Sequence, residues 1–198
     1  MDDMTLYRQY LSGDGAALEA LLEQYGDRLT LYINGYVKNM HDAEDLLIDV
    51  FAYLIVRRPH IKSSFRSYLY KAARNHALMF LRKRRRFYLL SEQQVDFYVE
   101  HAFEDAVVER ERNEQLHRCM QGLHSAQREA LYLVYMEGLS YQDAASVLHK
   151  TVKQIDKLLQ LGKKNIRPLL EREGIQNAFN GRKNGTDTKT GGSDTKTK

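Results

Sequence analysis

The chain has 198 residues, 43% of them hydrophobic, 28% charged and with a net charge of +4, which predicts a folded protein with apolar material for one medium domain or two small ones. No apolar run approaches the roughly 18 to 20 residues needed to cross a bilayer, and the start (Met1, Asp2, Asp3, Met4) lacks the basic-then-apolar pattern of a secretion signal, so a cytoplasmic location without membrane insertion is expected. The single cysteine, Cys119, excludes an internal disulfide, and seven histidines without His-x-x-x-His spacing or a Cys-x-x-Cys partner read as surface or structural residues, so no metal, cofactor or catalytic group is expected.

The net charge conceals a strong polarity. Between Arg57 and Arg86 there are eleven Lys/Arg and no Asp/Glu, whereas the 56 preceding residues hold three basic and ten acidic ones. One end suits a basic partner and the other a polyanion such as nucleic acid.

Apolar residues recur at three and four rather than at two, and only Pro59 and Pro168 interrupt, which predicts an all-α protein. The predicted helices run near 4–11, 15–38, 42–56, 64–85, 104–122, 126–137, 140–148 and 152–167. In the third, Asp42, Asp45 and Asp49 form an acidic stripe backed by Leu46, Leu47, Val50, Phe51 and Leu54. Such a stripe is usually a solvated face, but beside a basic module it fits protein docking better than DNA, which would repel it.

The fourth helix carries Phe65, Leu69, Ala72, Ala73, His76 and Phe80 along one side, with Arg66, Tyr70, Arg74 and Asn75 projecting elsewhere beside Lys71. Cations interleaved with Tyr and Asn suit opened DNA, because rings stack on exposed bases while cations hold the backbone. The competing reading is that Tyr68 and Tyr70 fill the core. The helix ends in the run Arg82-Lys83-Arg84-Arg85-Arg86.

A break near 87–103 opens an acidic stretch and reads as a flexible linker between two small helical domains; seventeen extended residues reach at most ~60 Å. Cys119 shares helical spacing with Leu116, Met120 and Leu123 and is expected in the core. Further on, Ser140 with Asp143 and Thr151 with Gln154 predict the starts of two helices a few residues apart, a helix-turn-helix. In the second of these, Ile155, Leu159, Gly162 and Ile166 face inward while Lys153, Lys157, Gln160 and Lys164 lie about 200° away, as a helix entering the major groove requires. The competing reading is an ordinary amphipathic helix with a solvated lysine face. From 174 to 198 the chain is Gly, Thr, Asn, Asp and Lys with a near-repeat, and a disordered tail is expected.

Four segments in this order resemble the sigma-70 family of bacterial RNA polymerase initiation factors, in its short extracytoplasmic-function (ECF) group. They are Asp42-Ala43-Glu44-Asp45-Leu46 with Asp49-Val50-Phe51; Phe65 through Arg74-Asn75 and the arginine run; Gln127 to Leu131; and Glu137-Gly138-Leu139-Ser140-Tyr141. The resemblance implies a non-enzymatic factor that binds core RNA polymerase and directs it to promoter DNA, with any anti-sigma regulator a separate protein. It implies four parts. Residues 1–88 would dock on polymerase through Asp42, Glu44, Asp45, Asp49 and Phe51 and open the minus-ten element through Arg66, Tyr68, Tyr70, Lys71, Arg74, Asn75, Arg82, Lys83, Arg84 and Arg85. Residues 89–103 would be the linker, and 104–173 would read the minus-thirty-five element through Lys153, Lys157 and Gln160. Residues 174–198 would be the tail.

The sequence departs from the family pattern at Ile48, commonly a polar Gln, at Tyr68, commonly Trp, and at Asp156, Leu158 and Leu161, where Lys or Arg are frequent. The alternative is an operator-binding helix-turn-helix regulator that acts without polymerase. It leaves the basic first domain unexplained, and no dimer seam is visible. A DNA recombinase would need a nucleophile among clustered arginines, and the chain has no His-x-x-Arg.

Overall fold

The computed structural model describes residues 2–62, 64–88, 116 and 119–174, all helix and connecting turns with no strand among them. The expected linker, 89–103, the predicted helix 104–122 apart from residues 116 and 119–122, and the expected tail, 174–198, beyond its first residue lie outside the described residues. Four helices, α1 (Asp3–Leu11), α2 (Gly15–Val37), α3 (Met40–Arg57) and α4 (Phe65–Tyr88), pack mutually around α2. A second group comprises α5 (Ser125–Leu131), a π-helical turn (Tyr132–Met136), α6 (Tyr141–Leu148) and α7 (Val152–Arg172).

Local chemistry sets the helix ends. Asp14 caps α2 by accepting from Ala16 N–H at 3.0 Å, and Asn39 caps α3 by accepting from Asp42 N–H at 3.1 Å. Ser140 caps α6 at Asp143 N–H, and Thr151 and Gln154 form the reciprocal capping box at the start of α7, as their spacing predicts. Helices α2, α3 and α6 stop at Lys38, Arg58 and His149, each in the left-handed region. In each case the cap N–H satisfies a carbonyl one turn back, which offsets the cost of a positive φ in a residue with a Cβ.

The predicted bounds need correction in two places. Helix α7 does not stop before Pro168 but continues to Arg172, because Leu170 extends the buried stripe of Ile155, Leu159, Gly162 and Ile166. Burial of that face outweighs the missing N–H of one proline near the helix end. The predicted helix 126–137 is a short α-helix that widens into a π turn, where Glu137 N–H bonds Tyr132 C=O.

Inside α1–α4 the core is built on Tyr7, Leu21, Tyr25, Leu29, Ile33, Leu54, Phe65 and Leu69, and around the second group on Leu131, Leu133, Ala144, Val147, Ile155 and Ile166 with Met120 from the segment before it. Cys119 is buried there with Leu123, as its spacing predicts. Arg128 is buried too, and serves as an end cap: its guanidinium donates to the carbonyls of Met120 (2.9 Å), Gln121 (3.2 Å) and Leu123 (2.7 Å). Helix α4 packs on α6, so the two groups form one body with tyrosines 32, 70 and 132 at the seam.

Candidate functional site: a nucleic-acid and polymerase interface

Helix α4 is the centre of the site. Its residues Phe65, Leu69, Ala73 and Ala77 are buried at four-residue spacing, whereas His76, expected on that side, is only partly buried and sets its ring against Tyr53. The stripe Arg66, Tyr70 and Arg74, also at four-residue spacing, faces the second group of helices. Tyr70 has no exposed surface and donates to the Glu137 carboxylate, so the ring is packed away rather than projecting. Burial, reinforced by the Glu137 charge, pushes its pKa far above the ordinary phenol value and keeps it a neutral donor.

Arg74 donates from Nε to Glu129 Oε1 and to the Tyr36 hydroxyl, both at 3.0 Å, and Tyr32 and Tyr36 donate to that same Glu129 oxygen. Burial works against the guanidinium charge, but Glu129 and the tyrosines outweigh it and the Arg74 pKa rises. Arg66 donates to the Glu137 backbone carbonyl at 3.0 Å, and Arg28 lies 3.4 Å from the Glu137 carboxylate. Lys71 reaches Ser146 Oγ at 3.3 Å, and Asn75, although exposed, lies 3.4 Å from the His149 ring. Partial burial, with Lys71 and Arg74 nearby, lowers the His149 pKa.

The two ends of the candidate set are free of this seam. Arg82, Lys83, Arg84 and Arg86 are exposed and Arg85 is half-buried, with Arg84 reaching Asp42 at 3.4 Å. Tyr68 is half-buried, one side of its ring packed against the core of α1–α4 and the rest exposed. On α7, Lys153, Lys157 and Gln160 are exposed, and Gln160 Nε2 donates to Asp156 Oδ2 at 2.8 Å, so Asp156 orients the Gln160 amide.

On α3, Glu44, Asp45 and Asp49 are exposed and Asp42 is half-buried, but Phe51 is 6% exposed and belongs to the core. It lies on the same helix face as Leu47, Val50 and Leu54, which points at α2 and α4, so its contribution to docking is to support the helix from behind. The same helix exposes Ile48 (65%) among its acids and Ile55 and Val56 (77%) beyond the last of them, a combined apolar and acidic surface suited to a protein partner. The sequence signal for this face was an apolar content of α3 too high for one buried stripe. Among the described residues no group of His, Cys, Asp and Glu is placed to hold a metal ion, and no helix is long and apolar enough to cross a membrane.

The profile of sigma-70 region 2 matches residues 21–87, and that of sigma-70 region 4 matches residues 113–166. The chain belongs to the sigma-70 family. Within it, the ECF group is indicated by similarity to the ECF RNA polymerase sigma factor SigM of Bacillus subtilis, 24% identical over 157 residues covering 78% of this chain and 96% of SigM. The RNA polymerase sigma-H factor of Pseudomonas aeruginosa is 28% identical over 158 residues, 74% of this chain and 82% of that protein. The fold is similar to that of the sigma factor RpoE in its co-crystal with the anti-sigma factor NepR from Bartonella quintana, at TM-score 0.60 and 22% identity over 77% of this chain and 96% of RpoE. It is also similar to CnrH in complex with the cytosolic domain of CnrY, at TM-score 0.59 and 19% identity over 86% of this chain and 98% of CnrH. This chain is a transcription initiation factor of the sigma type.

Proposed function

We propose that the division of labour within this sigma factor follows the charge map. The exposed face of α3, with Glu44, Asp45 and Asp49 around Ile48 and the half-buried Asp42 at its edge, docks on core RNA polymerase. The basic side and end of α4 (Arg66, Tyr68, Tyr70, Lys71, Arg74, Asn75 and Arg82 to Arg85) hold the opened minus-ten strand. The outer face of α7 (Lys153, Lys157, Gln160) reads the minus-thirty-five element. On this reading residues 1–88 and 104–173 are the two working domains, 89–103 joins them, the chain acts in the cytoplasm, it has no catalytic activity of its own, and any anti-sigma regulator is a separate protein.

The observation that carries it is the exposure of opposite charges on adjacent helices: carboxylates with apolar side chains on α3 and a run of guanidiniums ending α4. A protein surface and a phosphate backbone need those two chemistries respectively. The test replaces Arg82, Lys83, Arg84 and Arg85 together with Gln in the full chain. Retained co-elution with core polymerase together with loss of promoter-dependent initiation is expected. Unchanged initiation would remove the basic run from the promoter interface.

A further inference from the structure

Helix α7 carries three side-chain amides, and two of them are spent within the protein. Gln154 Oε1 accepts from Thr151 N–H at 2.8 Å in the capping box, and Asn165 Nδ2 donates to Gln127 Oε1 at 3.2 Å. Gln160 is placed differently. Its Nε2 donates at 2.8 Å to Oδ2 of Asp156, one turn back on the helix, and the bond is exposed to solvent. A carboxylate only accepts, so this contact fixes which end of the amide is nitrogen and leaves Gln160 with a carbonyl and one N–H to offer. Asp156 keeps a second oxygen, Oδ1, with no partner among the described residues.

Asp156 is also the sole carboxylate between Val152 and Leu170, a stretch with five Lys/Arg. DNA phosphates repel it, whereas a base edge that bears an amino group gives it a donor to accept from. We propose that Asp156 and Gln160 work as one reading unit that selects amino-bearing base edges in the minus-thirty-five element, adenine opposite Gln160 and cytosine opposite Asp156. The proposal rests on the assignment of the outer face of α7 to that element.

The carbonyl and N–H of Gln160 match the N6 amino group and N7 of adenine, and Asp156 Oδ1 matches the N4 amino group of cytosine. Adenine suits Asp156 less well, because the lone pair of N7 lies beside its amino group and repels a carboxylate. Guanine O6 and thymine O4 would set acceptor against acceptor, which rejects those bases. Four residues advance about 6 Å along α7 and bases stack about 3.4 Å apart, so the two contacts fall one or two base pairs from each other. Lys153 and Lys157, exposed on the same helix, hold phosphates and add affinity without sequence preference.

The test assembles the full chain with core polymerase, selects from a pool of duplex fragments randomised across both promoter elements, and sequences the bound DNA. The unmodified chain should enrich adenine and cytosine at two upstream positions, each by about tenfold over the other bases. Gln160→Ala should flatten the adenine position alone. Asp156→Ala should flatten both, because it removes the acceptor for cytosine and frees the Gln160 amide to turn. Asp156→Asn keeps an oxygen for Gln160 but offers DNA an N–H, and should move the cytosine position to guanine or thymine, whose O6 and O4 accept. Co-elution of each variant with core polymerase is the control for folding.

Upstream preferences that Asp156→Ala leaves unchanged overturn the proposal, as does guanine or thymine enriched by the unmodified chain at the position that Asp156→Ala flattens. Failure of the α7 assignment reads differently: enrichment is then confined to the minus-ten element with no preferred base upstream, which removes the assignment and the reading unit with it.

Discussion

Arg74 and Glu129, 55 residues apart in sequence, meet at 3.0 Å in the seam between α4 and α5, with 18% and 6% of their side chains exposed. Removing one partner strands the other charge in a poorly solvated place, while removing both leaves a surface that apolar side chains fill. The losses of stability in Arg74→Met and Glu129→Met should sum to more than the loss in the double substitution, with a coupling of about 1–3 kcal/mol in a double-mutant cycle measured by urea unfolding. Strict additivity would mean that the seam is open in solution.

The close approach of α5 and α7 hangs on Gly162. A Cβ there would lie 2.9 Å from Leu131 Cδ1 and 3.3 Å from its Cγ, and Leu131 is fully buried. Alanine is a better helix former than glycine by about 1 kcal/mol, but overpacking of a filled core costs about 1–3 kcal/mol. Gly162→Ala should therefore lower the melting temperature. A rise would show that Leu131 has room to turn aside.

Alkaline pH should loosen the first four helices before it affects most surfaces. Burial raises the pKa of Tyr7 from 10.0 to about 12, helped by neighbouring tyrosines, and burial with the bond to Asp3 raises Tyr25 likewise to about 12. Each raised value means that the folded state favours the neutral phenol. The contribution is complete below pH 10 and disappears as the pH climbs from about 10 to about 12. The urea midpoint should fall across that window, and less steeply in Tyr7→Phe. A midpoint unchanged up to pH 11.5 would contradict these environments.

What the sequence made legible was local. The caps at Ser140 and Thr151, the inward stripe of α7 and the packing of Cys119 all follow from spacings of three and four, and the structure has them. Pro168 misled because a rule about one missing N–H was weighed without the burial of Leu170 beyond it. Tyr70, Arg74 and Glu129 were not legible in their actual roles. Periodicity places Tyr70 off the core of its own domain, but the surface it meets comes from residues 67 positions away in sequence. The hint was Glu129 and Glu137 bracketing an otherwise apolar run, since a carboxylate in a buried stretch needs a cation or hydroxyls from elsewhere. Phe51 shows the converse: a family motif marks which helix docks, not which of its side chains reach the partner.

The most direct test of the central claim is gel filtration of the purified chain with bacterial core RNA polymerase, paired with initiation on a promoter fragment. Stable co-elution and promoter-dependent transcripts are expected from the unmodified chain, and Asp45→Lys with Asp49→Lys, two exposed positions on α3, should abolish both while leaving the fold intact. A chain that binds duplex DNA but never co-elutes with polymerase would contradict the account and favour an operator-binding regulator.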